Sequence, residues 1–149
     1  MKALFVAALL GLAASPSSAE PDLMQVPSAQ DVASTMDALQ AAVTGAGATV
    51  FARVDHAGGA RGVGMDLADS QLLIFGNPKL GTPAMQADPL AGLFLPLKVL
   101  VYADGDGQVW LAYEDPGDMF ADLDVPADAE VVKMMTGALG KLTAAAAGG

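Results

Sequence analysis

The segment from Leu72 to Pro116 constrains the fold of this chain more than any other part. It holds apolar runs typical of strands, and Thr82-Pro83 predicts the start of a helix. The runs Leu97 to Ala103 and Val109 to Glu114 flank Asp104-Gly105-Asp106-Gly107, a turn whose residues tolerate positive φ. A hairpin joins antiparallel neighbours, so this segment predicts a mainly antiparallel sheet with helices packed on it.

Two more helices and two more strands complete the predicted fold. A capping-box-like Ser28-Ala-Gln-Asp31 begins the first helix, and Pro126 precedes the last one. Apolar stripes at helical spacing mark both helices: Val32, Met36, Leu39 and Val43 in the first, and Val131, Met135, Leu139 and Leu142 in the last. Strands are predicted from Thr49 to Val54 and from Gln71 to Phe75, and residues 20–27 form an extended leader. The result is an α+β domain of about four strands, in the order α-β-(α)-β-α-β-β-α.

The first 19 residues have the pattern of a secretory signal peptide. Lys2 precedes an apolar run from Ala3 to Ala14, and small residues stand at Ser17-Ser18-Ala19. The apolar run is shorter than the roughly 20 residues that cross a bilayer. We therefore expect cleavage between Ala19 and Glu20 and a periplasmic or secreted protein that leaves the membrane. The mature chain is predicted to be one domain from 20 to 143 with a flexible tail from 144 to 149.

Composition excludes several classes of function. The formal net charge is −10, which disfavours nucleic acid and anionic lipid as partners. The chain has no Cys, which excludes disulfides, thiol redox chemistry, thiolate zinc sites and haem attachment through CxxCH. His56 is its only histidine. Material for nucleophilic or metal chemistry is therefore scarce, and no cofactor is identified.

Several short motifs, taken together, carry a family resemblance. They are Val54-Asp55-His56-Ala57, Phe75-Gly76-Asn77-Pro78-Lys79 with Gly81-Thr82, Leu95-Pro96-Leu97-Lys98-Val99, and Asp106-Gly107. In this order they resemble the domain of unknown function 302 family, over roughly residues 45 to 116. The resemblance implies an α+β fold and, because dimers are known in the family, a homodimer. No shared biochemical activity is established for the family. The family's helix after the histidine is usually richer in Ala and Lys, whereas four glycines interrupt it here.

Four polar residues beside the predicted strands are candidates for a binding site. His56 could serve as an acid, a base or a metal ligand, or it could hold a backbone carbonyl as a structural side chain. Lys98 stands in an apolar strand, so its head either reaches water or enters a pocket. Asn77 and Lys79 lie at the turn after a strand and could flank a small anionic ligand together with Lys98.

Other chemical patterns have simpler structural interpretations. Asp104 to Gly107 echoes part of a calcium loop, but the remaining ligands are out of register, so it is a hairpin turn. The glycines between Gly59 and Gly64 have the wrong spacing for a phosphate-binding loop. The methionines lack the clustering of copper sites, and core packing explains them better.

Three function hypotheses remain open. The leading one is an exported, dimeric binding or accessory domain whose partner is a small anionic ligand or a protein. The second is a small enzyme with His56 as general acid–base and Lys98 as its electrostatic partner. The third is a metal- or haem-associated protein that uses His56. The enzyme hypothesis predicts that His56, Asn77 and Lys98 converge in one cleft.

Overall fold

A five-stranded antiparallel sheet organises the computed structural model, which describes residues 23–148. The strands are β1 (Leu23–Ser28), β2 (Thr49–Asp55), β3 (Ser70–Gly76), β4 (Leu97–Ala103) and β5 (Val109–Glu114), in the spatial order β1-β5-β4-β3-β2. The helices are α1 (Val32–Gly45), α2 (His56–Gly62), α3 (Pro78–Ala87), α4 (Pro116–Met119) and α5 (Glu130–Ala146), with a 3-10 helix at Pro89–Leu93. The predicted α+β class is confirmed. The proposed signal peptide lies outside the described residues.

The sheet has five strands rather than about four, because the polar leader forms edge strand β1. β1 pairs with β5 from Leu23 opposite Glu114 to Ser28 opposite Val109. Val26 lies opposite Leu111 and packs against the core, which explains why this short, mostly exposed segment is held there. Pro27 is tolerated because an edge strand does not need every N–H for pairing.

Helix α1 begins at a different cap from the predicted one. Asp31, not Ser28, is the N-cap, and its side chain accepts a 2.8 Å hydrogen bond from the Ser34 backbone N–H. That backbone hydrogen bond is the main reason why the pKa of Asp31 is lowered. Ser28 ends β1 instead, and its Oγ lies 2.8 Å from the buried Thr35 Oγ1.

The length of α1 suits its position across the sheet. Its 14 residues extend about 21 Å at about 1.5 Å per residue. The chain enters α1 from β1 at one edge and leaves to β2 at the other edge, four strand spacings or about 19 Å away. The predicted stripe faces the sheet: Val32, Met36, Leu39 and Val43 are all at most 3% exposed.

Helix α5 packs beside α1 and completes the helical layer. Met135, Leu139 and Leu142 are buried as predicted, but Val132 rather than Val131 is the fully buried valine. The helix extends through Ala146, into the segment that was predicted to be a flexible tail. The Ala146 side chain is fully buried, so this part of the tail is packed against the core.

The two faces of the sheet differ in how well they are covered. Side chains on one face join the helices in a single core, in which Leu73, Phe75, Val99, Val101 and Leu111 are at most 2% exposed. The alternate residues of the two central strands point the other way and are only half-buried: Leu72, Ile74, Leu100 and Tyr102. Within residues 23–148, no helix combines the length and the apolarity that a membrane span requires.

The hairpin turn between β4 and β5 forms as predicted. Gly107 has φ of +82°, a conformation that glycine adopts without strain. Asp104 accepts hydrogen bonds from the backbone N–H groups of Asp106 and Gln108, and from Trp110 Nε1 at 2.8 Å. The Trp110 hydrogen bond is the largest cause of the lowered pKa of Asp104. The carboxylate is thus part of the turn.

Replacing Trp110 by phenylalanine is expected to raise the pKa of Asp104 towards its ordinary value, because the indole N–H then no longer stabilises the ionised form. At pH values above the ordinary pKa of 3.8, this hydrogen bond stabilises the folded state. The stabilisation is lost as the pH falls through the lower pKa that Asp104 has in the folded protein. Carboxyl-carbon NMR titration measures the shift. Asp31 serves as the internal control, because Ser34 rather than Trp110 lowers its pKa.

Candidate functional site

His56 is the first residue of α2 and is exposed. The residue before it, Asp55, is the helix N-cap and accepts a 2.8 Å hydrogen bond from the Gly58 N–H. A Cβ on Gly58 would lie only 2.4 Å from the Asp55 carboxylate, so this glycine allows the cap to form. The glycines that departed from the family pattern therefore do not prevent a helix here.

Asn77 and Lys79 form the start of α3, which was predicted at Thr82-Pro83. Asn77 is the N-cap, and its Oδ1 accepts a 3.0 Å hydrogen bond from the Lys79 N–H. Pro78 occupies the first helical position, where a missing N–H costs nothing. The predicted start was five residues too late, because the chain offers two successive Pro-containing helix starts and Pro83 lies inside the helix.

Lys98 lies on β4 with its side chain exposed. Its Nζ donates to the Phe94 carbonyl oxygen at 2.9 Å and lies 3.5 Å from that of Pro96. The ammonium group therefore caps the last turn of the 3-10 helix, a favourable place for a positive charge. Of the two alternatives for Lys98, the exposed position agrees with a head in water.

The four candidate residues fall into two separate groups. Asp55, next to His56, pairs with Gln71 at one end of β3, whereas Asn77 follows Gly76 at the other end. Five residues of strand separate these ends, about 16 Å at about 3.3 Å per residue. Lys98 pairs with Ile74 and belongs to the Asn77 end. The structure thus brings Lys79, Asn77 and Lys98 to one end of the sheet and leaves His56 at the other.

Within the described part of the chain, no three His, Cys, Asp or Glu side chains come close enough to hold a metal ion. Two charged residues accompany His56 in this part of the chain: Asp55, the N-cap of α2, and Arg61, five residues further along the helix. The Arg61 guanidinium and the Asp55 carboxylate are 3.6 Å apart. The Asp55 carboxylate thus caps α2 and also lies near the Arg61 guanidinium.

An apolar pocket lies at the Asn77 end, and sequence reasoning missed it. The cavity has a volume of about 290 Å³ and lies between β3, α3 and the segment before β4. Its apolar walls come from four separate parts of the chain: Phe51, Leu80, Met85, Leu95, Leu97 and Met135. Asn77 and Thr82 add polar groups, and no charged residue of the described chain lines the pocket.

Two glycines keep this pocket open. Gly76 and Gly81 line it, and a Cβ on Gly76 would lie 3.4 Å from Phe51 and from Pro96. A Cβ on Gly81 would be in ordinary contact, 3.6 Å from Leu95 and 3.8 Å from Met85. Glycine in a helix interior is unfavourable by roughly 0.5–1 kcal/mol relative to alanine, so Gly81 is the available sequence signal for a cavity beside α3.

A five-stranded antiparallel sheet, the long helices α1 and α5 on one face and a small apolar pocket at the sheet end define an α+β domain. The sequence model of the domain of unknown function 302 family matches residues 24–142, and the chain belongs to this family. The crystal structure of an uncharacterized conserved protein of the family, from Bacillus stearothermophilus, has the same fold. It superposes with a TM-score of 0.75 over 83% of this chain and 97% of that one, at 19% identity.

The curated relatives that match this chain are longer proteins. The chain is 40% identical over 128 residues to the fluoride-specific ion channel FluC 1 of Brucella suis biovar 1, covering 85% of this chain and 50% of the relative. The FluC 1 protein of Brucella abortus biovar 1 matches with the same identity over 47% of its length. The chain therefore spans about half the length of the curated relatives that it matches.

Proposed function

We propose that this chain is an exported accessory domain that acts by binding, and that its partner is a membrane ion channel for fluoride. The observation that carries the proposal is the length of the relatives. Proteins named as fluoride-specific channels contain a stretch 40% identical to this chain, and about half of their length lies beyond it.

The matched stretch folds as a domain, which suggests that each relative consists of this domain and a second part. It corresponds to an α+β domain of the 302 family over residues 24–142. The remaining half of each relative is then available for the channel. A domain fused to a channel is held beside it at high effective concentration. A separate chain of the same family can perform the same role by binding the channel.

Export would place the domain on the outer side of the membrane. This part of the proposal rests on residues 1–19, with Lys2, the apolar run and Ala19 before the expected cleavage point. Expression of the full chain in a bacterium, followed by fractionation and N-terminal sequencing, tests it. A mature protein that starts at Glu20 in the periplasm or medium supports export, and an uncleaved cytoplasmic protein contradicts it.

Deleting the gene for this chain in its source organism is expected to increase sensitivity to fluoride, because the channel would lose its accessory domain. Growth across a series of sodium fluoride concentrations, with sodium chloride as the matched control salt, measures the effect. Deleting the same gene in a strain that already lacks its fluoride channel should not increase the sensitivity to fluoride further. Equal fluoride tolerance of the parent and the single-deletion strain would contradict the proposed partnership.

The proposed domain is also a dimer, joined through the sheet face that the main helices leave open. The outward side chains Leu72, Ile74, Leu100 and Tyr102 are half-buried in one chain. They carry no charge, although the chain has 17 acidic residues, and Lys98 lies beside them on the same face, opposite Ile74 at the pocket end. Two copies can therefore meet on this face without like-charge repulsion at its centre. Light scattering of the mature chain should give twice the monomer mass, and a strict monomer at micromolar concentration would contradict the dimer.

A further inference from the structure

The apolar pocket beside α3 is larger than a packing defect. Its volume is about 290 Å³, roughly twice that of an engineered cavity of about 150 Å³ that binds benzene. At about 30 Å³ for a water-sized group, this volume has room for roughly ten groups of the size of a methylene. The pocket opens to solvent at Phe51 and Met85, which are 58% and 39% exposed, and two glycines of this chain keep its walls apart.

The walls indicate an aliphatic rather than a polar occupant. Leucine, methionine and phenylalanine side chains dominate the lining, and Met85 and Met135 can adjust their shape to a flexible chain. Asn77 and Thr82 are the polar side chains of the lining, and the oxygen of Asn77 already has a hydrogen-bond partner. Asn77 Oδ1 accepts the hydrogen bond that caps α3, which leaves its amide N–H groups for a ligand.

Positive charge flanks the pocket in an otherwise acidic protein. Lys79 stands between two lining residues, Pro78 and Leu80, and the Lys98 ammonium group donates to the carbonyl oxygen of Phe94, the residue before the lining residue Leu95. The Lys98 ammonium group lies 3.5 Å from the carbonyl oxygen of Pro96, which also lines the pocket. Because the net charge of the chain is −10, two lysines beside one pocket form a local positive region that favours an anionic head group.

We propose that this pocket binds a single-chain anionic amphiphile, such as a medium-chain carboxylate, with its alkyl chain between α3 and Met135 and its head near Lys79 and Lys98. The site is independent of the proposed channel partnership, because it needs only the folded domain. It retains Asn77, Lys79 and Lys98 from the sequence prediction and assigns His56 no part.

Calorimetric titration with decanoate, below its micelle concentration, tests the site on the mature chain. We expect saturable binding of one decanoate per chain. Decyltrimethylammonium has the same alkyl length with the opposite charge and is expected to bind more weakly. Equal binding of both ions would overturn the anionic head group, and no binding of either would overturn the pocket as a ligand site. Neither outcome bears on the fluoride assay, so the two proposals fail separately.

Blocking the cavity gives the sharper test. Gly81→Leu adds a side chain whose Cβ makes ordinary contacts and whose remaining atoms extend into the pocket, so the decanoate Kd should rise at least about tenfold. Gly137→Leu is the matched control. Gly137 lies on α5, is exposed, and a Cβ there meets nothing within 4 Å. Both changes improve helix propensity, and circular dichroism confirms that both variants fold. Equal affinity of the two variants would contradict this location.

Charge variants distinguish the contribution of the anionic head group to binding from that of the alkyl chain. Lys79→Gln and Lys98→Gln are each expected to raise the decanoate Kd about two- to fivefold, because exposed ion pairs are weak. Lys141→Gln removes the same charge from the exposed side of α5 and should leave the Kd unchanged. Decanol, which lacks the charge, should bind all four proteins alike. If the Lys141 variant lost as much affinity as the others, general charge rather than this site would explain binding.

Discussion

Replacing Phe75 by alanine is expected to lower the free energy of unfolding by about 3–5 kcal/mol. Phe75 lies on the central strand β3 and is only 2% exposed. Its ring is one of the largest fully buried side chains of the core, between the sheet and the two long helices. Its removal loses the burial of the ring and leaves a cavity that rigid neighbours fill only in part. Urea unfolding, followed by circular dichroism, measures the change.

Phe51 offers a matched control on the neighbouring strand. The same substitution there removes the same atoms from a side chain that is 58% exposed, so a loss of less than about 1 kcal/mol is expected. Phe51 also lines the pocket, so its variant should alter decanoate binding while the fold persists. Equal destabilisation by the two substitutions would show that the core does not lie where the structure places it.

The fold was predictable wherever the sequence pattern of a single segment was enough to specify its secondary structure. β4 and β5 have the predicted bounds, because an apolar alternation and a glycine turn specify a hairpin locally. The α1 stripe was correct for the same reason. β1 was missed because an edge strand gains its order from pairing with β5, and a short segment that contains a proline gives no local sign of that pairing.

The pocket could not be read from the sequence because its walls come from distant parts of the chain. Phe51, Met85, Leu95 and Met135 each look like an ordinary strand or helix residue when taken alone. Only the fold brings them together, and the glycine that opens the space, Gly81, resembles any helix-weakening residue. A site built from single apolar residues of four segments leaves no motif.

The polar candidates were predictable in position but not in role. Asn77 was singled out because it lies at the turn after a strand, and Lys98 because it stands in an apolar strand. The structure places both at the pocket end of the sheet. Their visible hydrogen bonds are structural, a helix cap and a carbonyl contact. His56 stood out because it is unique, and uniqueness in the sequence carried no information about its neighbours.

Leu100→Glu is expected to convert the proposed dimer into a monomer that remains folded. Leu100 points away from the core, between Leu72 and Ala112 on neighbouring strands, near the centre of the open sheet face. In a two-fold interface each copy would bury one new carboxylate, and the two charges would lie close to each other. Burial of an unpaired charge costs several kcal/mol, so the dimer Kd should rise at least about a hundredfold. Sedimentation velocity over a dilution series measures it.

The monomer itself should tolerate this change, because Leu100 is only half-buried in a single chain. Leu93→Glu is the control: Leu93 lies in the 3-10 helix, is 78% exposed, and sits away from the proposed interface. The control variant should keep the dimer mass. A Leu100→Glu protein that remains a dimer would exclude this face and point instead to the exposed edges of β1 and β2, where backbone pairing needs no apolar side chain.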